Sequence, residues 1–273
     1  MPPRDSSGPL HREEGRRLFG LDPAGYRAGR PDYPDAVYDT LVERCRLGPT
    51  TRVLEIGPGT GLVTRHLLRA GAHVTAVEPD PSMASYLRDT ETSASLDVVI
   101  SSFEEADITL DSFDLAVAAT SFHWVDQEVG LAKLGRALRP GGWVALWWTL
   151  FRDPDQPDAF SQAVEQILGP ATRGAFDEPG RRPFQLDQSH RRRDMTRWAE
   201  LDDVTSQLIS WTCQLTPVQT RALYASMATV IRRPPDEQSR ILDDVERLAT
   251  DAVGGVFTRR FVTALYTGRR PSG

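Results

Sequence analysis

Val53-Leu54-Glu55-Ile56-Gly57-Pro58-Gly59-Thr60-Gly61 reads as a short buried strand that runs straight into a glycine-rich turn. Glycine tolerates positive φ and leaves room for a ligand to approach the backbone closely. The turn should open a helix near residues 60–62, and the free N–H groups at a helix N-terminus attract negative charge. A lone glycine turn is weak evidence, so its surroundings decide how it is read. Glu78 closes the next strand-like run, 21 residues after Gly57, where a carboxylate can accept hydrogen bonds from both hydroxyls of a ribose.

Working outward, TRVLEI, HVTAVE, LDVVIS, FDLAVAAT and WVALWWT are short, β-branched or aromatic, and apolar without strict alternation. Such runs suit strands covered on both faces, as in a parallel sheet. Between them lie the helical patterns LVTRHLLRAG, PSMASYLRDT and QEVGLAKLGRAL. The last is expected to bury Val129, Leu131, Leu134 and Leu138 and to stop at Pro140-Gly141-Gly142. Strand–helix alternation with short connections predicts a Rossmann-like, doubly wound α/β sheet.

After Trp148 the pattern changes. Residues 151–200 are rich in Pro, Asp and Arg, with one helical piece at DAFSQAVEQILG. VTSQLISWTCQL then alternates like a strand, LTPVQTRALYASMATVIRR and PDEQSRILDDVERLATDA read as two helices, and VFTRRFVTALYTGRR reads as a closing strand. With no Gly/Ser linker, we expect a mobile arm over 1–20 and one domain over 21–273. An insertion or cap spans about 150–200, with a further helical contribution from 215–252.

The 273 residues are 40% hydrophobic and 26% charged, with a net charge of −6 and a pI near 5.5. A net acidic chain is not built to coat polyanions, so nucleic acid is not the expected partner. Two cysteines supply neither a disulfide framework nor a zinc cluster, so we expect no metal and a reducing cytoplasm. No apolar run approaches the ~18 residues that a membrane span needs, and the N-terminal residues lack the apolar core of a signal peptide. Lys133 is the only lysine beside many arginines, a bias that points to GC-rich coding and a bacterial source.

NAD and S-adenosylmethionine both carry an adenosine ribose. The dinucleotide fingerprint G-x-G-x-x-G needs its third glycine for helix packing. Here that glycine comes one residue early, and Leu62 holds the fingerprint position. Glu55 is an acid at the end of a buried strand, costly unless paired, and a cationic ligand would supply the pairing.

VLEIGPGTG, AVEPDPSM and the block FDLAVAATSFHWVD…LGRALRPGGWVALW together resemble the ordered motifs of class I S-adenosylmethionine-dependent methyltransferases. The likeness covers roughly residues 20–149, and VFTRRFVTALYTGRR is similar to that fold's last strand. It implies a seven-stranded sheet of order 3-2-1-4-5-7-6 with strand seven antiparallel. It also implies that S-adenosylmethionine lies over Gly57, Gly59 and Gly61, with Glu55 near its ammonium and Glu78 on its ribose. Pro79 and Met83 would border the adenine. Ser102 stands where such families commonly have Asp, so adenine recognition would rest more on Phe103. Ala119 and Thr120 would face the sulfonium. Tyr26 would close the methionine end and Arg30 would pair its carboxylate, as arginine forks do well. The product would be S-adenosylhomocysteine.

Methyl transfer from a sulfonium mainly needs alignment and dryness. A base is required only when the acceptor must lose a proton. His123 in Ser121-Phe122-His123-Trp124 is the candidate base, because imidazole titrates near neutrality; packing or a loop hydrogen bond is the other reading. The basic stretch Arg181-Arg182…His190-Arg191-Arg192-Arg193…Arg197 either binds an acidic substrate or is solvated surface balanced by nearby acids. Trp147, Trp148, Trp198 and Trp211 either line an aromatic pocket or pack the core. The expectation is a methyltransferase acting on a small molecule, in secondary metabolism. The rivals are an RNA methyltransferase, a nicotinamide oxidoreductase, and a scaffold that holds the cofactor without transferring methyl. Acceptor atom and oligomeric state are left open.

Overall fold

The structure is a computed structural model that describes residues 12–169, 182–253 and 257–272. Helices α1 (Arg12–Leu18), α2 (Pro23–Gly29) and α3 (Asp35–Glu43) come first. Alternation follows: β1 (Arg52–Ile56), α4 (Thr64–Arg69), β2 (His73–Glu78), α5 (Pro81–Thr90), β3 (Leu96–Ile100), β4 (Phe113–Ala119), α6 (Gln127–Ala137) and β5 (Leu138–Leu150). The remainder is α7 (Ala159–Leu168), α8 (Gln188–Trp198), β6 (Asp202–Leu215), α9 (Pro217–Ala225), α10 (Ala228–Ile231), α11 (Pro235–Val253) and β7 (Phe257–Arg269).

The seven strands form one sheet of order β3-β2-β1-β4-β5-β7-β6, with strand seven antiparallel. Strands β3, β2, β1, β4 and β5 pair in parallel, with Val53 opposite Val74 on one side and Leu115 on the other. This parallel order brings the carboxyl ends of β1, β4 and β5 side by side. The continuous apolar runs have a simple cause: Val53, Leu54, Leu115, Ala116 and Val117 are all fully buried. Val37 and Leu41 of α3, Leu67 of α4 and Leu87 of α5 pack with Val53, Val74, Leu115 and Trp147. Each such side chain contributes about 1.5–3 kcal/mol on burial.

Local signals set the helix ends. Asp80 caps α5 by accepting from Ser82 N at 2.8 Å and Met83 N at 3.0 Å, with Pro81 at the first helical position. Asp126 caps α6 through Val129 N at 3.1 Å. The face that α6 buries is Gly130, Leu131, Leu134, Gly135 and Ala137. Val129 is 51% exposed, so its expected burial is corrected: it sits one residue off the stripe. At Gly135 a Cβ would come within 2.4 Å of Ala199 O, which is why α6 and α8 meet where they do.

Three further expectations differ from the structure. The helix after the glycine turn begins at Thr64, because residues 60–63 form turns first. Part of the arm over 1–20 is helix α1, and residues 1–11 lie outside the described residues. The stretch 217–231 is two helices, α9 and α10.

The chain divides into two compact units. One comprises 1–32, 150–184 and 210–262; the other comprises 33–149, 185–209 and 263–273. The first therefore gathers α1, α2, α7, α9, α10 and α11, while α3 and α8 belong with the larger unit. Its core joins Phe160, Val164 and Leu168 of α7 to Tyr224, Val230, Ile241, Val245 and Phe257. Gly29 lets α2 lie directly on α9, since a Cβ there would meet Ala222 O at 2.2 Å. Arg259, 1% exposed, lies 4.2 Å from the Phe160 ring and donates to Phe151 O and Ser161 Oγ, both at 3.2 Å.

Candidate functional site

Two buried carboxylates stand at the carboxyl ends of adjacent strands. Glu55, 2% exposed, is the penultimate residue of β1; Glu78, 5% exposed, ends β2. Glu55 Oε2 accepts the Thr64 hydroxyl at 2.7 Å. Glu78 is gripped from two directions: Oε2 accepts Gly59 N at 2.9 Å and Oε1 accepts Asp80 N at 3.0 Å. Burial pushes the Glu55 carboxyl up to about 7; the Thr64 bond opposes this and the neighbouring Glu78 charge adds to it. Burial likewise pushes Glu78 up to about 7, opposed by its two backbone bonds and helped by Asp80. Uncompensated carboxylates in such a setting are held half-protonated near neutrality, and a cation beside them would drive both to the charged form.

The glycine turn has the backbone its sequence calls for. Gly57, Gly59 and Gly61 have φ of 67°, 56° and 81°. Gly57 and Gly59 serve different needs. A Cβ on Gly57 would lie 2.6 Å from Ser121 Cβ, so this glycine brings the β1 turn against the loop after β4. Ser121 seals that junction by donating to Ile56 O at 2.5 Å. A Cβ on Gly59 would meet nothing within 4 Å, which leaves open space beside the Glu78 carboxylate. Two buried acids next to an open glycine backbone fit a ligand with a positive charge and ribose hydroxyls. They do not offer the run of donors that a pyrophosphate needs.

Around this centre, Met83 is buried, Pro79 is half-buried, and Phe103 is buried 6.4 Å from the Phe122 ring. The Ser102 hydroxyl is turned to Glu105, donating to its Oε2 at 2.9 Å. Ala119 ends β4 and Thr120 follows it, with Ala119 in register with Trp147 and Thr120 N donating to Trp147 O at 2.7 Å. Thr120 has φ of 53°, uncommon for a β-branched residue. Its hydroxyl is 3.0 Å from the Tyr33 hydroxyl, and the Tyr33 ring stands edge-on to Trp147 at 5.6 Å. His123 sits in a single helical turn after β4, and its Nδ1 accepts the Trp148 indole N–H at 3.0 Å.

The larger unit thus holds Glu55, Gly57, Gly59, Gly61, Glu78, Pro79, Met83, Ser102, Phe103, Ala119, Thr120 and His123. Tyr26 and Arg30 fall in the other unit. There Arg30 donates to Ser226 O at 2.7 Å and lies over the Tyr26 and Phe151 rings at 4.8 and 5.0 Å. Of the basic stretch, Arg181 lies outside the described residues, Arg182 pairs with Asp155, and Arg191 with Asp194 at 2.9 Å. Trp147 and Trp148 are buried, Trp198 stacks under Arg197, and Trp211 meets Phe261 edge-on.

Sequence reasoning passed over Thr64, Tyr33 and Trp148 as partners. Tyr33 was visible as the aromatic of RPDYP, and Thr64 as a hydroxyl on the first turn after the glycines. Among the described residues no group of three or more His, Cys, Asp or Glu side chains is placed to hold a metal, and no helix is long and apolar enough to cross a membrane.

The fold and site define a class that comparison with known proteins makes specific. Residues 54–146 match the family described as a methyltransferase domain. An uncharacterized methyltransferase of Mycobacterium tuberculosis is 30% identical over 235 residues, covering 84% of each chain. Among solved structures, a type II methyltransferase assigned from Anaeromyxobacter dehalogenans superposes with a TM-score of 0.62 at 20% identity, over 89% of this chain and 99% of that one. A [4+2]-cyclase superposes with a TM-score of 0.57 at 16% identity, over 97% and 98%. The chain belongs to the family of S-adenosylmethionine-dependent methyltransferases.

Proposed function

We propose that this enzyme binds S-adenosylmethionine at the ends of β1, β2 and β4 and transfers its methyl group to a small-molecule acceptor. The observation that carries the reading is the pair Glu55 and Glu78, two acids pushed up to about 7 beside an open glycine backbone. Glu55 holds the ammonium, directly or through water, and Glu78 holds the ribose while keeping its grip on Gly59. Pro79, Met83 and Phe103 cover the adenine, and Ala119 and Thr120 face the reacting end. Bound there, the cofactor supplies a methyl group already activated on a sulfonium. The protein's task is to align the acceptor and exclude water. Tyr26 and Arg30 are assigned to the methionine end of the cofactor by resemblance alone.

A small acceptor is favoured over RNA because the net charge is −6 and, within the basic stretch, Arg191 pairs with Asp194 and His190 lies beside Asp187. The arginine-rich coding bias agrees with a bacterial source, and an acceptor of secondary metabolism is proposed on that association alone. The same fold in a [4+2]-cyclase is a reminder that fold alone does not assign chemistry, so binding and transfer need separate readouts. Calorimetric titration with S-adenosylmethionine, S-adenosylhomocysteine and NAD tests the first. Micromolar binding of the adenosyl ligands, lost in Glu78→Ala, is expected; binding of NAD alone would overturn the reading.

A further inference from the structure

The indole N–H of Trp148 is a donor and nothing else. When it points at His123 Nδ1 from 3.0 Å, that nitrogen must present its lone pair. The neutral imidazole therefore carries its proton on Nε2. Whatever Nε2 meets, it meets as a donor. A proton added at Nδ1 would set two N–H groups against each other and cost the buried indole its acceptor, because Trp148 is 1% exposed on β5. The residue best placed by sequence to act as a general base is held in a form that cannot accept a proton without breaking this bond.

Other bases at this edge are also committed. Ser121 donates to Ile56 O, Thr120 shares its hydroxyl with Tyr33, and Glu55 and Glu78 belong to the cofactor site. His73 begins β2 at the opposite edge of the sheet, His66 stacks on Tyr38, and His190 lies on α8 beside Asp187. The smaller unit has no histidine among its described residues. Its cysteine, Cys213, has a thiol that burial pushes upward, and its Tyr224 phenol is likewise raised by burial.

Building on the methyltransferase reading above, we propose that Trp148 is a positioning residue that locks His123 as the Nε2–H tautomer, so that His123 serves this edge of the sheet as a hydrogen-bond donor and not as a general base.

The tautomer is tested without any acceptor, by nitrogen-15 NMR of the imidazole rings in full-length protein with and without S-adenosylhomocysteine. His123 is expected to show a protonated Nε2 and an unprotonated, hydrogen-bonded Nδ1, and in Trp148→Phe the Nδ1 signal should move towards that of an unbonded ring. A protonated Nδ1 in the parent protein, or a spectrum unchanged by Trp148→Phe, would overturn the lock. The donor role is tested with methyl-tritiated S-adenosylmethionine and a panel of carboxylic acids, phenols, alcohols and amines. With whichever acceptor takes the label, transfer by His123→Gln should stay within about tenfold of the parent, below the loss that removal of a general base brings. A larger loss, with S-adenosylhomocysteine still bound, overturns the donor role. If S-adenosylhomocysteine itself fails to bind in the NMR samples, the methyltransferase reading falls instead, while the tautomer result still stands or fails by itself.

Discussion

Thr64, on the first turn of α4, gives its hydroxyl proton to Glu55 Oε2 at 2.7 Å, in a place where the threonine is fully buried and the glutamate nearly so. A charged acceptor strengthens such a bond, and this one restrains the rise that burial imposes on Glu55. In Thr64→Val the carboxyl should therefore climb further above 7. Affinity for S-adenosylmethionine at pH 7 is expected to fall about 10- to 100-fold, on the scale of one charge-assisted hydrogen bond. Raising the pH to 8.5 should restore most of it, because the carboxylate is then ionised regardless. Calorimetry at the two pH values checks this, and an equal loss at both would show that Thr64 acts by shape.

The two raised carboxyls also make a statement about stability. Glu55 and Glu78 sit near 7 in the folded chain and near 4.5 as ordinary glutamates. Below the lower value both states hold the proton and nothing is lost. Between the two values the unfolded chain ionises first, so stability falls as pH rises, and the loss is complete once pH has passed the folded value. Urea midpoints measured at pH 5 and pH 8 should therefore differ less in Glu55→Gln than in the parent protein. Saturating S-adenosylmethionine should offset the loss at pH 8, with proton release on binding near pH 6.5 that vanishes above pH 8.

Gly57 and Gly59 share positive φ but should respond differently to alanine. At Gly57 the new Cβ would collide with Ser121 Cβ at 2.6 Å, so Gly57→Ala should lower the melting temperature sharply. At Gly59 no atom lies within 4 Å, and the cost is confined to the left-handed backbone, about 1–2 kcal/mol. Gly59→Ala should fold, yet bind S-adenosylmethionine at least tenfold more weakly because its methyl group enters the space beside Glu78. Thermal melts paired with titration distinguish the two.

Thr120 keeps a left-handed backbone that glycine would adopt without strain. Thr120→Gly should leave the melting temperature level or raise it by a few degrees. It should also weaken cofactor binding, since the Tyr33 hydroxyl loses its 3.0 Å partner. Tyr33→Phe should reproduce the weaker binding without any gain in stability. A Thr120→Gly protein that is less stable than its parent would show that the Tyr33 bond outweighs the strain.

How much of this could be read in advance depended on range. Strands β1, β2, β4 and β5 announce themselves because both their faces are buried, which removes alternation and leaves dense apolar runs. Helix α8 does not, because QSHRRRDMTRW buries only Met195 and owes its start to the Asp187 cap at His190 N. The break between α9 and α10 was equally silent, as no glycine or proline separates Ala225 from Ala228. In the candidate site, the glycines and the two glutamates were legible from spacing along one strand–turn–helix–strand unit. The state of His123 was not, because it is set by Trp148, 25 residues away on β5. Residue type names a candidate base; only the neighbour says which nitrogen holds the proton.

The division of the chain into two units has a consequence for anyone who would rebuild this enzyme. The backbone passes from one unit to the other five times, at 32/33, 149/150, 184/185, 209/210 and 262/263. Three of these crossings lie inside β5, β6 and β7. Truncation from either end cannot isolate one unit, and no single cassette can carry the other to a new host. A graft needs five junctions cut in register, because a strand displaced by one residue turns its side chains to the opposite face. Changes in this lineage are therefore expected to come as scattered substitutions within three segments, and a one-residue insertion in β7 should be among the least tolerated.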